Sequence, residues 1–175
     1  LLQHFGIEII SHVTRIGGLS LNDPLAVTFK KAQAIPADSP LRCVDRELEK
    51  QMTAAIDKAR AAGDTLGGTF EVIVHGVPVG LGSYVQWDRK LDGRFAQALM
   101  SIPAIKSVGI GRGPAVAELL GSQVHDEIVL SSTTKASTKQ PLGISRPTNN
   151  AGGLEGGVSN GEEIRLSACM KPIST

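Results

Sequence analysis

The order of the amphipathic segments constrains the fold of this 175-residue chain more than any other sequence feature. β-Branched residues predict a strand over 7–16, and alternating polarity predicts strands over 69–74 and 163–170. Two amphipathic helices lie among them, without the regular strand–helix alternation of a parallel sheet. The length corresponds to about one domain. We therefore expect an α+β fold in a single domain over residues 1–175.

Both helices have boundary signals. Asp45 is placed to cap the first helix, and Gly63 lies where its C-terminal stop belongs. Asp88 is placed to cap the second helix, and Pro103 to end it. Apolar side chains recur at helical spacing in both, which predicts one buried stripe on each. In the second helix the stripe consists of Leu91, Phe95, Ala98, Leu99 and Ile102.

Three further segments complete the expected layout. Short strands are predicted over 105–110 and 127–130. Residues 131–148 are polar and rich in Ser, Thr and Lys, which is typical of an exposed, variable loop or of the tip of a hairpin.

Composition and charge exclude two classes of partner. The 18 basic and 17 acidic residues nearly cancel, so nothing suggests a nucleic-acid partner. No apolar run approaches the roughly 18 residues that a membrane span requires, so we expect no membrane partner. Cys43 and Cys169 match no metal or redox spacing. They are typical of buried thiols in a reducing compartment, which indicates a cytoplasmic protein.

The common nucleotide and metal motifs are absent from the sequence. The chain has no P-loop, and residues 109–114 (GIGRGP) lack both the GxGxxG spacing and a helix-opening amide for a pyrophosphate. His125, Asp126 and Glu127 are metal-ligand types, but neighbouring strand residues point to opposite faces. We interpret them as a loop-to-strand junction whose side chains satisfy turn backbone. We expect no metal site, and no Ser or Cys has a nucleophile context.

The segment over 149–163, NNAGGLEGGVSNGEE, is the densest glycine cluster of the chain. It suits either ordinary turns or a backbone shaped to approach a ligand closely. Leu154 is apolar within it, which indicates anchoring, and the following strand ends at Lys171. Exposed amides beside a lysine suit an anion such as a phosphate. Composition alone leaves both interpretations open.

Three stretches together resemble the chorismate synthase family: GLGSYVQWDRKLDGRFAQALMSIPAIKSV, GSQVHDEI and RPTNNAGGLEGGVSNGEEIRLSACMKPIST. They cover residues 80–108, 121–128 and 146–175, in the order and spacing of that family, and residues 1–79 match more weakly. The AGGLEGG and MKPIST segments are specific to the family. The resemblance covers essentially the whole chain.

The resemblance implies a fold and a reaction that the residues alone do not. Members have a β-α-β sandwich fold and form homotetramers. They convert 5-enolpyruvylshikimate 3-phosphate to chorismate and phosphate by a 1,4-elimination. The reaction needs reduced FMN without net redox change. The flavin can be reduced by the enzyme's own NADP-dependent reductase or by another protein, and the sequence does not distinguish these routes.

The resemblance also assigns flavin contacts. Matching positions are Pro103 and Ala104, then Gly156 in the glycine-rich segment, and finally a C-terminal run. This run consists of Lys171, Pro172, Ile173, Ser174 and Thr175. Three positions depart from the family pattern: Pro103 replaces a common Asn or Gln, Gly109 a common acidic residue, and Tyr84 a common His.

No catalytic residue is expected within the chain. Family members are about twice as long, and their GxSHG motif, RASAR segment, substrate-binding arginines and two acid–base histidines would precede Leu1. A late aspartate and a flavin-contacting arginine would follow Thr175. We therefore expect an internal fragment that is inactive by itself. The alternative is a truncated or degenerate relative that folds, binds flavin or oligomerises without catalysis.

Overall fold

The computed structural model describes residues 1–130 and 143–174. Most of the loop expected over 131–148 lies outside these residues, as does Thr175. The strands are β1 (Glu8–Ile16), β2 (Leu19–Ser20), β3 (Gly68–His75), β4 (Ile105–Ile110), β5 (Val129–Leu130), β6 (Ile144–Ser145), β7 (Leu154–Glu155), β8 (Val158–Ser159) and β9 (Ile164–Met170). The helices are α1 (Phe29–Gln33), α2 (Arg46–Ala61), α3 (Leu91–Met100) and α4 (Gly121–Val124).

One antiparallel sheet organises the described residues. Its five strands lie in the order β2-β1-β3-β9-β4, and every neighbouring pair is antiparallel. The α+β prediction is thereby confirmed, because no parallel crossover occurs in this sheet. Strands β1, β3 and β4 follow the predicted segments closely. β5 is shorter than the strand predicted over 127–130, and it pairs with β6 instead of joining the large sheet.

Strand β9 departs at one position from the alternating polarity that predicted it. It lies between β3 and β4. Ile164, Leu166 and Ala168 are buried, whereas Ser167 and Cys169 on the other face are half-buried, as the alternation predicts. Arg165, which the alternation assigned to the polar face, is only 4% exposed. Its guanidinium pairs with Glu71 of the neighbouring strand, so the burial of this charge depends on a partner outside β9.

The first long helix, α2, begins where predicted. The Asp45 side chain accepts hydrogen bonds from the backbone amides of Glu47 and Leu48, at 2.9 and 3.0 Å. These two bonds satisfy amides that have no partner within the helix. Gly63 follows the last turn with φ 70°, a left-handed conformation that glycine adopts without steric cost.

The second long helix, α3, begins later than predicted. Asp88 does not cap it, since Trp87–Arg89 form a separate 3-10 turn and Lys90 is extended. The reason is a tertiary contact: the amide of Leu91 donates to the carbonyl of Gly157 at 2.9 Å, so the glycine-rich segment satisfies the first amide of the helix. Ile102 lies beyond the helix and is 40% exposed.

Two apolar clusters lie on opposite faces of the sheet. On one face, Leu91, Phe95 and Leu99 of α3 pack against a buried cluster that includes Val74, Ile164, Leu166 and Leu154. On the other face, Phe29 and Ala32 of α1 pack with Ile73 and Val27. Strand β3 contributes to both clusters through successive side chains. Among the described residues, no helix is long and apolar enough to cross a membrane.

Candidate cofactor-binding site

The glycine-rich segment is built into the fold. Strands β7 and β8 form a two-stranded hairpin within it, and Leu154 and Ser159 are buried at its base. A Cβ atom at Gly152 would collide with the amide of Gly111, and one at Gly153 would lie 2.6 Å from the carbonyl oxygen of Glu163. These glycines therefore have a packing role, because backbone packs against backbone at both positions.

Asp126 holds the chain that enters the hairpin. Its carboxylate accepts hydrogen bonds from Thr148 Oγ1 at 2.6 Å and from the amides of Asn150 and Ala151 at 2.7 and 2.9 Å. Burial raises the pKa of Asp126, but these three bonds and the nearby Arg146 charge outweigh it, and the pKa is lowered. The interpretation of residues 125–127 as a junction that satisfies turn backbone is confirmed for Asp126.

Gly156 lies at the exposed tip of this hairpin. Its φ of 60° is left-handed, and no atom outside its immediate neighbours lies within 4 Å of a Cβ built there. Packing therefore does not require glycine at this position, in contrast to Gly152 and Gly153. The tip presents bare backbone to the surroundings, as a close contact with a ligand would need.

The other predicted contacts form a second group. The amide of Lys171 donates to the carbonyl of Ala104 at 3.0 Å, which joins the end of β9 to the turn after α3. Ala104 has φ 69°, an unusual left-handed conformation for a residue with a side chain. Pro103 and Lys171 are exposed. The structure thus brings together two segments that lie far apart in the sequence.

The C-terminal run continues from the end of β9, beside the residues that lead into β3. Pro172 packs against Gly67, where a Cβ would lie 3.0 Å from the proline ring. The Thr65 hydroxyl donates to the carbonyl of Ile173 at 2.5 Å, while the Ile173 side chain is 69% exposed. Ser174 is also exposed. The backbone of this run is held, and its side chains remain available for contact.

Gly156 does not join this second group within the chain. Its neighbour Gly157 contacts the first residue of α3, whereas Ala104 follows the last. The ten residues of α3 span about 15 Å, so the helix separates the hairpin from the Ala104–Lys171 contact.

A cleft of about 1010 Å³ opens elsewhere, beside the C-terminal end of β3. Its walls include Arg112, Arg146, Glu162 and Glu163, and none of the predicted flavin contacts. Burial is the main cause that raises the pKa of Glu162 above its ordinary value; the nearby Arg146 opposes this shift only in part. Arg146, Glu162 and Glu163 belong to the family motif over 146–175, whereas Arg112 lies outside it. The sequence did not indicate that these residues line one cleft.

Beneath the cleft, a network of charged side chains crosses the sheet. Arg165 binds Glu71 through Nε and Nη2, both at 2.8 Å, and Glu71 also contacts His12 Nε2 at 2.9 Å. Glu163 lies 3.5 Å from Arg165 and 3.1 Å from His75 Nδ1. These residues look isolated in the sequence, and only the pairing of β1, β3 and β9 joins them.

Two further expectations concern metals and thiols. Over residues 1–130 and 143–174, no group of three or more His, Cys, Asp and Glu side chains could hold a metal ion. Cys43 is buried and free, and burial is the main cause that raises its thiol pKa. Cys169 is free and half-buried, 3.3 Å from the Thr69 hydroxyl. The expectation of buried thiols holds fully for Cys43 and partly for Cys169.

Comparison with known proteins identifies the family of this chain. The family model described as chorismate synthase matches residues 1–175. The chain belongs to the chorismate synthase family. It is 53% identical to the chorismate synthase of Alkaliphilus metalliredigens and 54% identical to that of Brevibacillus brevis, and all of the chain is covered in both comparisons. It spans only 43% of the length of each relative.

A solved structure titled as a crystal structure of chorismate synthase confirms the fold class. It superimposes with a TM-score of 0.84 at 42% identity, over 98% of this chain and 51% of the other. The chain therefore corresponds to about half of the family fold, as the resemblance implied. The family is one of lyases of the shikimate pathway.

Proposed function

We propose that the chain provides part of a chorismate synthase. The complete enzyme would convert 5-enolpyruvylshikimate 3-phosphate to chorismate and phosphate with reduced FMN and no net redox change. The observation that supports this most directly is the family match over residues 1–175, with 53% and 54% identity to two named chorismate synthases. A match to an unrelated phosphate-binding module would not extend over every element of the sheet.

The flavin contacts that we propose are Pro103, Ala104, Gly156 and the run over 171–175. Two observations support a fit to FMN. Lys171 is exposed and its backbone is fixed by Ala104, so its ammonium group is available to a phosphate or flavin edge. Gly156 has open space above its backbone. When bound at these residues, reduced flavin would supply electron density for the elimination.

In this proposal, the residues of this chain bind and orient the flavin. The Lys171 ammonium group would hold an anionic group, and Ala104 and Pro172 would shape the edge that the flavin meets. Because the hairpin lies at the other end of α3, the Gly156 contact is a separate part of the proposal and needs its own test. Proton transfer we assign to residues outside the chain, and we propose a cytoplasmic homotetramer.

A non-catalytic relative is the alternative, and the departures at Gly109 and Pro103 are what favour it. Gly109 lies in β4, where a Cβ would be 2.6 Å from the Ser167 hydroxyl and 3.2 Å from Gly113 Cα. An acidic side chain would therefore require the Ser167 hydroxyl to rotate and Gly113 to shift by a few tenths of an ångström. Gly109 and Ile110 nevertheless lie in strand β4 and pair with β9, so this part of the GIGRGP sequence is compatible with the sheet. This observation weakens the argument for degeneration.

Two measurements test the proposal. Titration of FMN followed by flavin fluorescence should show weak binding to the chain by itself, and a chorismate absorbance assay should show no turnover. Addition of the family segments that the chain lacks, taken from the Alkaliphilus metalliredigens relative, should restore turnover. Failure of every such combination to bind FMN or to form chorismate would favour the non-catalytic alternative. Turnover by the chain alone would contradict the assignment of the catalytic groups to residues outside it.

A further inference from the structure

Three donors of the segment that leads into the hairpin converge on one carboxylate. Thr148 Oγ1 and the amide of Asn150 both donate to Asp126 Oδ1, and the amide of Ala151 donates to Oδ2. Asp126 lies well before this segment in the sequence, between α4 and β5. Both oxygens must therefore act as acceptors at the same time, which an ionised carboxylate does and an amide side chain does not.

Residues 148–151 are connected to the hairpin through the Asn149 side chain. Asn149 Oδ1 accepts the amide of Gly153 at 2.8 Å, and Asn149 Nδ2 donates to the carbonyl of Glu163 at 2.8 Å. This side chain thereby joins the base of the hairpin to the start of β9. Gly152 and Gly153 follow directly and pack against the backbone of Gly111 and Glu163, so we expect a shift of residues 150 and 151 to disturb this packing.

A second connection reaches the hairpin near its tip. Arg146 Nη2 contacts Glu155 Oε2 at 2.7 Å, immediately before Gly156. The Arg146 side chain is only 8% exposed, and its charge also acts on Asp126. Asp126, Arg146 and Glu155 thus form an alternating series of charges from the base of the hairpin to its tip.

We infer that Asp126 is a positioning residue for the glycine-rich segment: its carboxylate fixes residues 148–151 and, through them, the hairpin that presents Gly156 to a ligand. The identity of that ligand as FMN rests on the proposed function. The positioning itself rests only on the contacts above. Asp126 touches no reacting group in this assignment and acts through the backbone that it holds.

The test compares Asp126→Asn with two other variants of the same chain. The adjacent Glu127→Gln removes an exposed carboxylate and serves as the matched control. Thr148→Val removes one of the three donors. Amide hydrogen exchange, resolved by NMR, is measured at Ala151 and Gly153 and at the central amides of β3 and β9. FMN affinity is measured on the same samples.

We expect Asp126→Asn to accelerate exchange at Ala151 and Gly153 at least tenfold, while β3 and β9 change less than threefold. Thr148→Val should have a smaller effect and Glu127→Gln none. FMN affinity should fall at least fivefold in Asp126→Asn, with the melting temperature of the chain nearly retained. A uniform acceleration across the sheet would identify a general structural role and overturn the inference, as would unchanged exchange at Ala151.

The hydrogen-exchange and FMN-affinity measurements distinguish failure of this inference from failure of the proposed function. Absence of FMN binding by the wild-type chain would contradict the flavin assignment. The hydrogen-exchange measurement alone would then decide whether Asp126 positions the segment. If the wild-type chain binds FMN and Asp126→Asn accelerates local exchange without loss of affinity, the hairpin does not present the ligand contact, and the inference fails.

Discussion

Replacement of Arg165 by methionine should expose how much the buried charge network contributes to folding. The side chains of Arg165 and Glu71 are each 4% exposed, and they share two hydrogen bonds of 2.8 Å. Arg165 also donates to the carbonyls of Val27 and Pro24, at 2.7 and 3.0 Å. Removal of the cation leaves the Glu71 carboxylate buried with His12 as its remaining side-chain partner.

The magnitude follows from the cost of an uncompensated buried charge. Removal of one partner of a buried ion pair costs about 3–5 kcal/mol, a large part of the stability of a typical domain. For a chain of this length, that corresponds to a loss of roughly 10 °C in melting temperature. Urea unfolding followed by circular dichroism measures the change in the free energy of unfolding.

A double-mutant cycle separates charge from packing. Glu71→Leu combined with Arg165→Met removes both charges, so the two losses should couple by about 2 kcal/mol instead of adding. Lys50→Met is the control, because the Lys50–Glu47 pair is 76% and 71% exposed and should contribute less than about 0.5 kcal/mol. Additive losses for Glu71 and Arg165, or a loss below about 1 kcal/mol for Arg165→Met, would refute the reasoning.

Three further predictions concern the site and its surroundings. Lys171→Ala should weaken FMN binding in the assembled enzyme by the loss of one or two charge-assisted hydrogen bonds, about 1.5–3 kcal/mol each, and an unchanged dissociation constant would contradict this. Gly152→Ala should destabilise the chain more than Gly156→Ala in thermal unfolding, because both glycines have positive φ but only Gly152 lacks room for a Cβ. Glu162→Gln should stabilise the chain at pH 7 and have no effect well below pH 4. The pKa of Glu162 is raised on folding, so ionisation of this carboxyl lowers stability as the pH increases above its ordinary pKa of 4.5. A stabilisation by Glu162→Gln that persists at pH 3 would exclude this cause.

The elements that sequence patterns predicted well are those with local causes. Helix α2 has its cap, its apolar stripe and its stop within one continuous segment, so nearest-neighbour chemistry determines its limits. β1 and β3 are rich in β-branched residues and pair with each other over most of their length. The predicted flavin contacts came from family motifs, and the structure brings Ala104 and Lys171 together while Gly156 lies apart.

The elements that were mispredicted depend on contacts distant in the sequence. Asp88 has the chemistry of a cap, but the Gly157 carbonyl satisfies the first amide of α3 and moves its start to Leu91. Arg165 follows the alternation of an exposed position, yet β9 lies inside the sheet, where Glu71 compensates its charge. In both cases the deciding partner belongs to a different element, far from the mispredicted residue along the chain.

The sequence by itself determined the class of fold, the family and the place of the glycine-rich segment before a patterned strand, because periodicity, turn residues and motifs are properties of short stretches. Only the tertiary structure decided what the glycines do. Gly152 and Gly153 lie against neighbouring backbone, and Gly156 lies in open space at a tip held through Asp126. Steric room around a Cβ depends on what packs against it from elsewhere in the chain, and identical residue letters do not reveal that difference.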